Sequence, residues 1–149
     1  MAFVEANTCV VSPPLCPELR LRLLREDAPL RDAAPVWRGN PHLFDWQGPR
    51  PYWAFAWGSG QALARFILDH QEMVRGKRVV DFGAGSGIAA IAAAVAGAAL
   101  VIAADIDPIA VEAILLNANL NDVAISATQE NVLIRGQFHW DVLLAGDVF

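Results

Sequence analysis

The 149-residue sequence predicts a doubly wound α/β domain built on a parallel sheet. Three observations predict it. Short apolar runs after residue 78 lack alternation of polar and apolar residues, which marks strands buried on both faces. Segments of helical length separate them, so strands and helices take turns along the chain. Hydrophobic residues make up 55% of the chain and charged residues 18%, a balance that supports a packed core and excludes disordered, collagen-like and coiled-coil chains. A chain of this length buries roughly two-thirds of its unfolded surface, so no disulfide or structural metal is required.

Eight of the nine prolines precede residue 52. They divide the chain into a Pro-rich irregular and helical cover, residues 1–52, and a regular domain, residues 53–149. In the cover, Leu15, Leu19 and Leu23 share one face of a short helix that Pro17 can begin, with Arg20, Arg22 and Arg25 on other faces. The stretch from Arg38 to Tyr52 is a loop by its Gly, Pro and Asn content. Leu63, Phe66, Ile67 and Val74 follow helical spacing across residues 61–74, and Gly76 ends that helix. Val79 to Phe82 is a short buried strand, Ile88 to Ala96 a helix stopped by Gly97, and Leu100 to Ala104 a strand. Asp107 before Pro108 reads as an N-cap with proline in the first turn, opening a helix from Pro108 to Leu120. Ile125 to Thr128 and Val142 to Ala145 are strands. Residues 88–104 carry no charge, but Gly97 and the change from alanine-rich to β-branched residues divide them into helix and strand, so no membrane span is expected.

The charge of −5 is unevenly spread. Residues 1–78 hold ten Lys/Arg against eight Asp/Glu, whereas residues 79–149 hold Arg135 against eight acids. An acidic half argues against a nucleic-acid face and suits a cationic ligand or substrate. Cys9 and Cys16 have no metal-ligand spacing and read as free thiols. With no basic n-region and no transit-peptide pattern at the N-terminus, the expected location is the reducing cytoplasm. His42, His70 and His139 are isolated, and no metal site is expected.

The strongest local signal is Val79-Val80-Asp81-Phe82-Gly83-Ala84-Gly85-Ser86-Gly87-Ile88, a strand passing through a glycine turn into a helix. Such glycines let the backbone turn tightly and approach a ligand, with amide groups presented at a helix N-terminus. A dinucleotide fingerprint would place its third glycine at position 88; here it comes one residue early, at Gly87, which suits a ligand without a pyrophosphate. Asp105 ends the next strand 22 residues after Gly83, where a carboxylate can accept both hydroxyls of a ribose. Asp107 is then the cap, the exchange of these two roles being the alternative.

Together these residues resemble a class I S-adenosylmethionine-dependent methyltransferase. The segments Ser12 to Leu21, Pro51-Tyr52-Trp53-Ala54-Phe55-Ala56-Trp57-Gly58-Ser59-Gly60-Gln61-Ala62-Leu63-Ala64 and Gly146-Asp147-Val148-Phe149 are similar to the lysine methyltransferases of the electron transfer flavoprotein beta subunit. Asp105-Ile106-Asp107-Pro108 and the residues after it also resemble ribosomal protein L11 methyltransferases, and bacterial relatives carry the label nicotinamide N-methyltransferase. The resemblance implies a Rossmann-like sheet of seven strands, of which this chain supplies the cofactor half and stops after the fourth. It implies cofactor contacts at Trp57, Asp81, Gly83, Ala84, Gly85, Gly87, Asp105, Ile106, Asn131 and Ala145. Asn131, or Glu130 beside it, would meet the adenine amino group, where many relatives have Asp.

The resemblance also places Trp57 and Asp147 at the methyl-transfer site, the alternative for Trp53 and Trp57, four apart, being that they are core aromatics. The implied reaction moves a methyl group to a protein lysine, possible in type because Asp147 can attract an ammonium and orient the amine, and leaves S-adenosylhomocysteine. Gly146-Asp147-Val148-Phe149 replaces the Asn-Pro-Pro-Tyr of enzymes acting on planar amides or base amines, which disfavours adenine or glutamine targets. The expected partner is a protein, with the electron transfer flavoprotein beta subunit as the model, and neither nucleic acid nor membrane. The alternatives are a small-molecule N-methyltransferase, a nucleotide-binding module without catalysis, and a truncated cofactor-binding fragment without activity.

Overall fold

The computed structural model describes residues 1–28, 51–133 and 139–146. The chain opens with α1 (Ala2–Asn7) and an antiparallel hairpin of β1 (Thr8–Val11) and β2 (Leu21–Leu24). A 3-10 turn at Tyr52–Ala54 leads into α2 (Gly58–Asp69), and a second at Gln71–Met73 leads into β3 (Arg78–Phe82). The order then alternates as α3 (Ile88–Val95), β4 (Leu100–Ala104), α4 (Pro108–Leu120), β5 (Ser126–Thr128) and β6 (Val142–Ala145).

The main sheet has the order β5-β4-β3-β6, and each adjacent pair is parallel. Strand β3 lies inside it, with Asp81 level with Ala103 on one side and Leu144 on the other. This central position explains the uninterrupted burial of Val79, Val80 and Asp81. Ala89, Ala90, Ala92 and Ala93 are buried together with Ile91, the small alanine side chains letting α3 fit closely between the sheet and α2. Strand β6 differs from the buried strand expected of its sequence: among the described residues only Leu144 of its four is buried, and Leu143 is exposed. Among the described residues it pairs on one side, with β3. No helix of the described residues is long and apolar enough to cross a membrane.

The helix expected from Pro17 is absent; that segment consists of turns followed by β2. Cys16, Leu19 and Leu21 are buried there, while Leu15 is exposed. The leucine spacing of four is therefore not a helical stripe: Leu23 lies in β2, paired with Cys9 of β1. Backbone bonds from Cys16 to Pro13 and from Leu19 to Cys16 close the turns. Helix α2 also begins earlier than the spacing predicts, at Gly58, because Trp57 takes the extended N-cap conformation and its carbonyl accepts the Gln61 N–H at 2.9 Å. It ends at Asp69, and the expected continuation to residue 74 is a 3-10 turn before Gly76 at φ +70°.

Candidate functional site

The carboxyl ends of β3 and β4 meet at the glycine turn. Gly83, Gly85 and Gly87 all have positive φ, at 66°, 53° and 80°, conformations that glycine adopts without the penalty a β-carbon brings. The Gly83 and Ala84 amides both donate to the carbonyl of Ala104, at 2.9 and 3.1 Å, which binds the turn to the end of β4.

Two carboxylates hold this turn from opposite ends. Asp81 is buried, and its Oδ2 accepts the Ala90 N–H at 3.0 Å. Ala90 is the third residue of α3, whose N-cap is Gly87 and so has no side chain to offer; Asp81 caps the helix from the neighbouring strand. Burial pushes the Asp81 carboxyl up to about 7, nearby Asp105 adds to the rise, and the Ala90 N–H opposes it. Asp105 accepts the Gly85 N–H at 2.8 Å through Oδ2 and the Asp107 N–H at 3.0 Å through Oδ1. Each carboxylate oxygen has a further lone pair for a ligand donor. Asp107 accepts the Ile109 N–H at 2.8 Å and is the N-cap of α4, which decides the division of labour between the two aspartates for the cap.

The tryptophans separate. Trp53 is buried with Val4, Ala54, Ala110 and Ala113, a core aromatic as its chemistry alone suggests. Trp57 is half-buried, packs edge-on against Phe55 with ring centroids 5.5 Å apart, and donates from Nε1 to the Tyr52 carbonyl at 3.0 Å. That same carbonyl oxygen would lie 3.9 Å from a β-carbon on Gly85, so the Trp57 anchor borders the glycine turn. The start of α2 also abuts the end of β6: a β-carbon on Gly146 would lie 3.5 Å from Gly60 Cα. Ala145 is level with Phe82 in the sheet.

The remaining expected residues lie around this centre. Ile106 follows Asp105 and is 83% exposed, an unusual state for a large apolar side chain at a strand end. Asn131 follows β5, one strand further out, and its Oδ1 accepts the Leu133 N–H at 3.1 Å. Asp147 lies outside the described residues. Among the described residues, no three His, Cys, Asp or Glu side chains come together as a metal site would need. Asn117 was not legible as a site residue: it is fully buried in α4 and donates to the Ser86 carbonyl within the turn, at 2.9 Å. The available signal was Asn117 and the C-cap Asn121 at a helical spacing of four, with Asn119 between them, in a helix whose other residues are apolar save Glu112.

Comparison with known proteins finds that residues 55–146 match the model of the ribosomal protein L11 methyltransferase (PrmA) family. An electron transfer flavoprotein beta subunit lysine methyltransferase of Xenopus laevis is 46% identical over 149 residues, covering 99% of this chain and 57% of that protein. The chain thus spans little more than half the length of that relative. Among solved structures, a ribosomal protein L11 methylase from Lactobacillus delbrueckii subsp. bulgaricus is 35% identical with a TM-score of 0.51, over 58% of this chain and 45% of that one. A T. thermophilus 16S rRNA methyltransferase, solved with AdoMet and guanosine, shares the fold at 18% identity and a TM-score of 0.60, over 95% of this chain and 33% of that one.

Proposed function

Because the chain belongs to the ribosomal protein L11 methyltransferase (PrmA) family, we propose that it binds S-adenosylmethionine at the carboxyl ends of β3 and β4 and serves the methylation of a protein lysine. The observation that carries the reading is the Asp105 carboxylate fixed on the glycine turn by the Gly85 N–H. Its two oxygens suit the paired hydroxyls of a ribose, and its lone pairs are directed by backbone bonds rather than by a mobile partner.

The other residues fit the same group. A turn of three left-handed glycines leaves room for a ligand against the backbone, with Ala84 and the buried Asp81 behind it for the methionine part. Ile106 offers an exposed apolar face for a purine, Asn131 a polar contact at its edge, and Ala145 a small side chain at the end of β6. When bound, S-adenosylmethionine supplies a methyl group already activated by a sulfonium, and S-adenosylhomocysteine remains.

The chain's own residues then have to align the acceptor and keep water out. Trp57, held by Tyr52 and Phe55, would wall the site. Asp147 would draw in the lysine ammonium and orient the amine; since a carboxylate raises a lysine pKa, its contribution is positioning. The likeness to the Xenopus laevis enzyme supports the electron transfer flavoprotein beta subunit as acceptor. Incubating the chain with S-adenosylmethionine and either that subunit or nicotinamide tests the choice. Mass increments of one methyl group on a lysine of the subunit are expected; methyl transfer to nicotinamide alone would contradict the protein substrate.

A further inference from the structure

We propose that Asn117 is a positioning residue that couples the N-terminal hairpin to the glycine turn and fixes the turn in its ligand-binding form; the functional part of this rests on the S-adenosylmethionine reading above. Asn117 is 0% exposed, and a buried amide must be hydrogen-bonded to be tolerated. Both its ends are used on backbone groups outside its own helix. Nδ2 donates to the Ser86 carbonyl at 2.9 Å, and Oδ1 accepts the Arg22 N–H of β2 at 2.7 Å.

The Ser86 bond falls where the turn is easiest to distort. The peptide between Ser86 and Gly87 precedes a glycine at φ 80°, and glycine permits such a peptide to rotate at little steric cost. Here the peptide is held at both ends: its carbonyl by Asn117, and its N–H by the Ala84 carbonyl at 2.7 Å. Releasing the carbonyl gives the turn a second orientation, and a ligand that needs the first must then select it. The other end of the same amide is fixed by the hairpin, which Arg65 of α2 also holds through Glu18 at 2.7 Å.

Asn121, one helical turn on, supplies the internal control. Its Oδ1 accepts the Arg20 N–H at 2.9 Å and its Nδ2 donates to the Arg20 carbonyl at 2.7 Å. It therefore holds the hairpin as Asn117 does, but its bonds go to Arg20 and Asn117, not to the turn. A purely structural role would loosen the core as a whole at either position, without singling out the turn.

The test compares Asn117→Ala with Asn121→Ala by native-state amide hydrogen exchange without ligand and by calorimetric titration with S-adenosylmethionine. Both variants should melt at lower temperature. Only Asn117→Ala should speed exchange at Gly85 to Gly87 relative to the rest of the core, and only it should weaken S-adenosylmethionine binding, by roughly tenfold. Asn117→Ser, which leaves space for a water at the Ser86 carbonyl, should change both in the same direction and serves if the alanine variant does not fold. Equal effects from the two positions, or unchanged exchange in the turn, would overturn the proposal. If the unsubstituted protein bound no S-adenosylmethionine, the cofactor reading would fall, while the exchange comparison would still decide whether Asn117 fixes the turn.

Discussion

Gly87 lies so close to Ile114 that a β-carbon there would stand 3.1 Å from Ile114 Cγ1 and 3.3 Å from Cγ2. This contact seats α4 against the glycine turn, and Gly87 also has φ 80°. Gly85 has positive φ as well, but a β-carbon on it would meet its nearest neighbour, the Tyr52 carbonyl, at 3.9 Å. Gly87→Ala should therefore cost more than Gly85→Ala. The left-handed conformation alone costs about 1–2 kcal/mol, and overpacking against Ile114 adds about 1 kcal/mol or more at Gly87. Urea denaturation of the two variants checks the order.

Asp81 gives a pH dependence of uncommon sign. Its carboxyl rises from 3.8 to about 7 on folding, chiefly through burial. Between those values the folded chain holds a proton that the unfolded chain has released, so this group's contribution to stability falls as pH rises, and levels off above about 7. Asp81→Asn should remove that fall while keeping an oxygen for the Ala90 N–H. Unfolding free energies measured from pH 4 to pH 8 would show a flatter profile in the variant.

Asp141 acts in the opposite direction at the amino end of the sheet. The Arg78 side chain donates to it at 3.0 and 3.2 Å and the Arg78 backbone N–H at 2.8 Å, and these bonds hold its carboxyl down at about 2. The stability this gives is present above 3.8 and is lost as pH falls toward about 2. Asp141→Asn should lose less stability than the unsubstituted chain across that acid window. Because the pair is half exposed, the difference should shrink in high salt, which repeating the denaturation with added sodium chloride would reveal.

Trp57 should separate site function from folding. Its ring is half-buried, and its Nε1 bond to Tyr52 is exposed, whereas Trp53 is buried in the core. Trp57→Ala should reduce methyl transfer strongly with a loss of stability near 1 kcal/mol, while Trp53→Ala should cost about 3–5 kcal/mol. Thermal melts beside transfer assays check both.

Much of this was legible because local and tertiary signals agree after residue 78. Leu100–Ala104 and Pro108–Leu120 occupy the predicted positions, since unbroken apolar runs suit interior parallel strands and Asp107-Pro108 starts a helix on local chemistry alone. The hairpin was hidden because Leu15, Leu19 and Leu23 fall by coincidence at helical spacing, whereas the bonds that hold Arg20 and Arg22 come from Asn121 and Asn117, about a hundred positions away. The glycine turn and Asp105 could be read from their spacing. The role of Asn117 could not, because an asparagine inside a helix carries no local sign of the carbonyl it serves.

The central claim is that Asp105, bonded to Gly85, forms the ribose end of an S-adenosylmethionine site. Calorimetric titration of the chain with S-adenosylmethionine, beside Asp105→Ala, tests it most directly. The account predicts saturable binding by the unsubstituted chain and a loss of at least roughly tenfold in the variant, since charge-assisted bonds to the ribose and the hold on Gly85 disappear together. No binding by the unsubstituted chain, or equal affinity in both proteins, would contradict it.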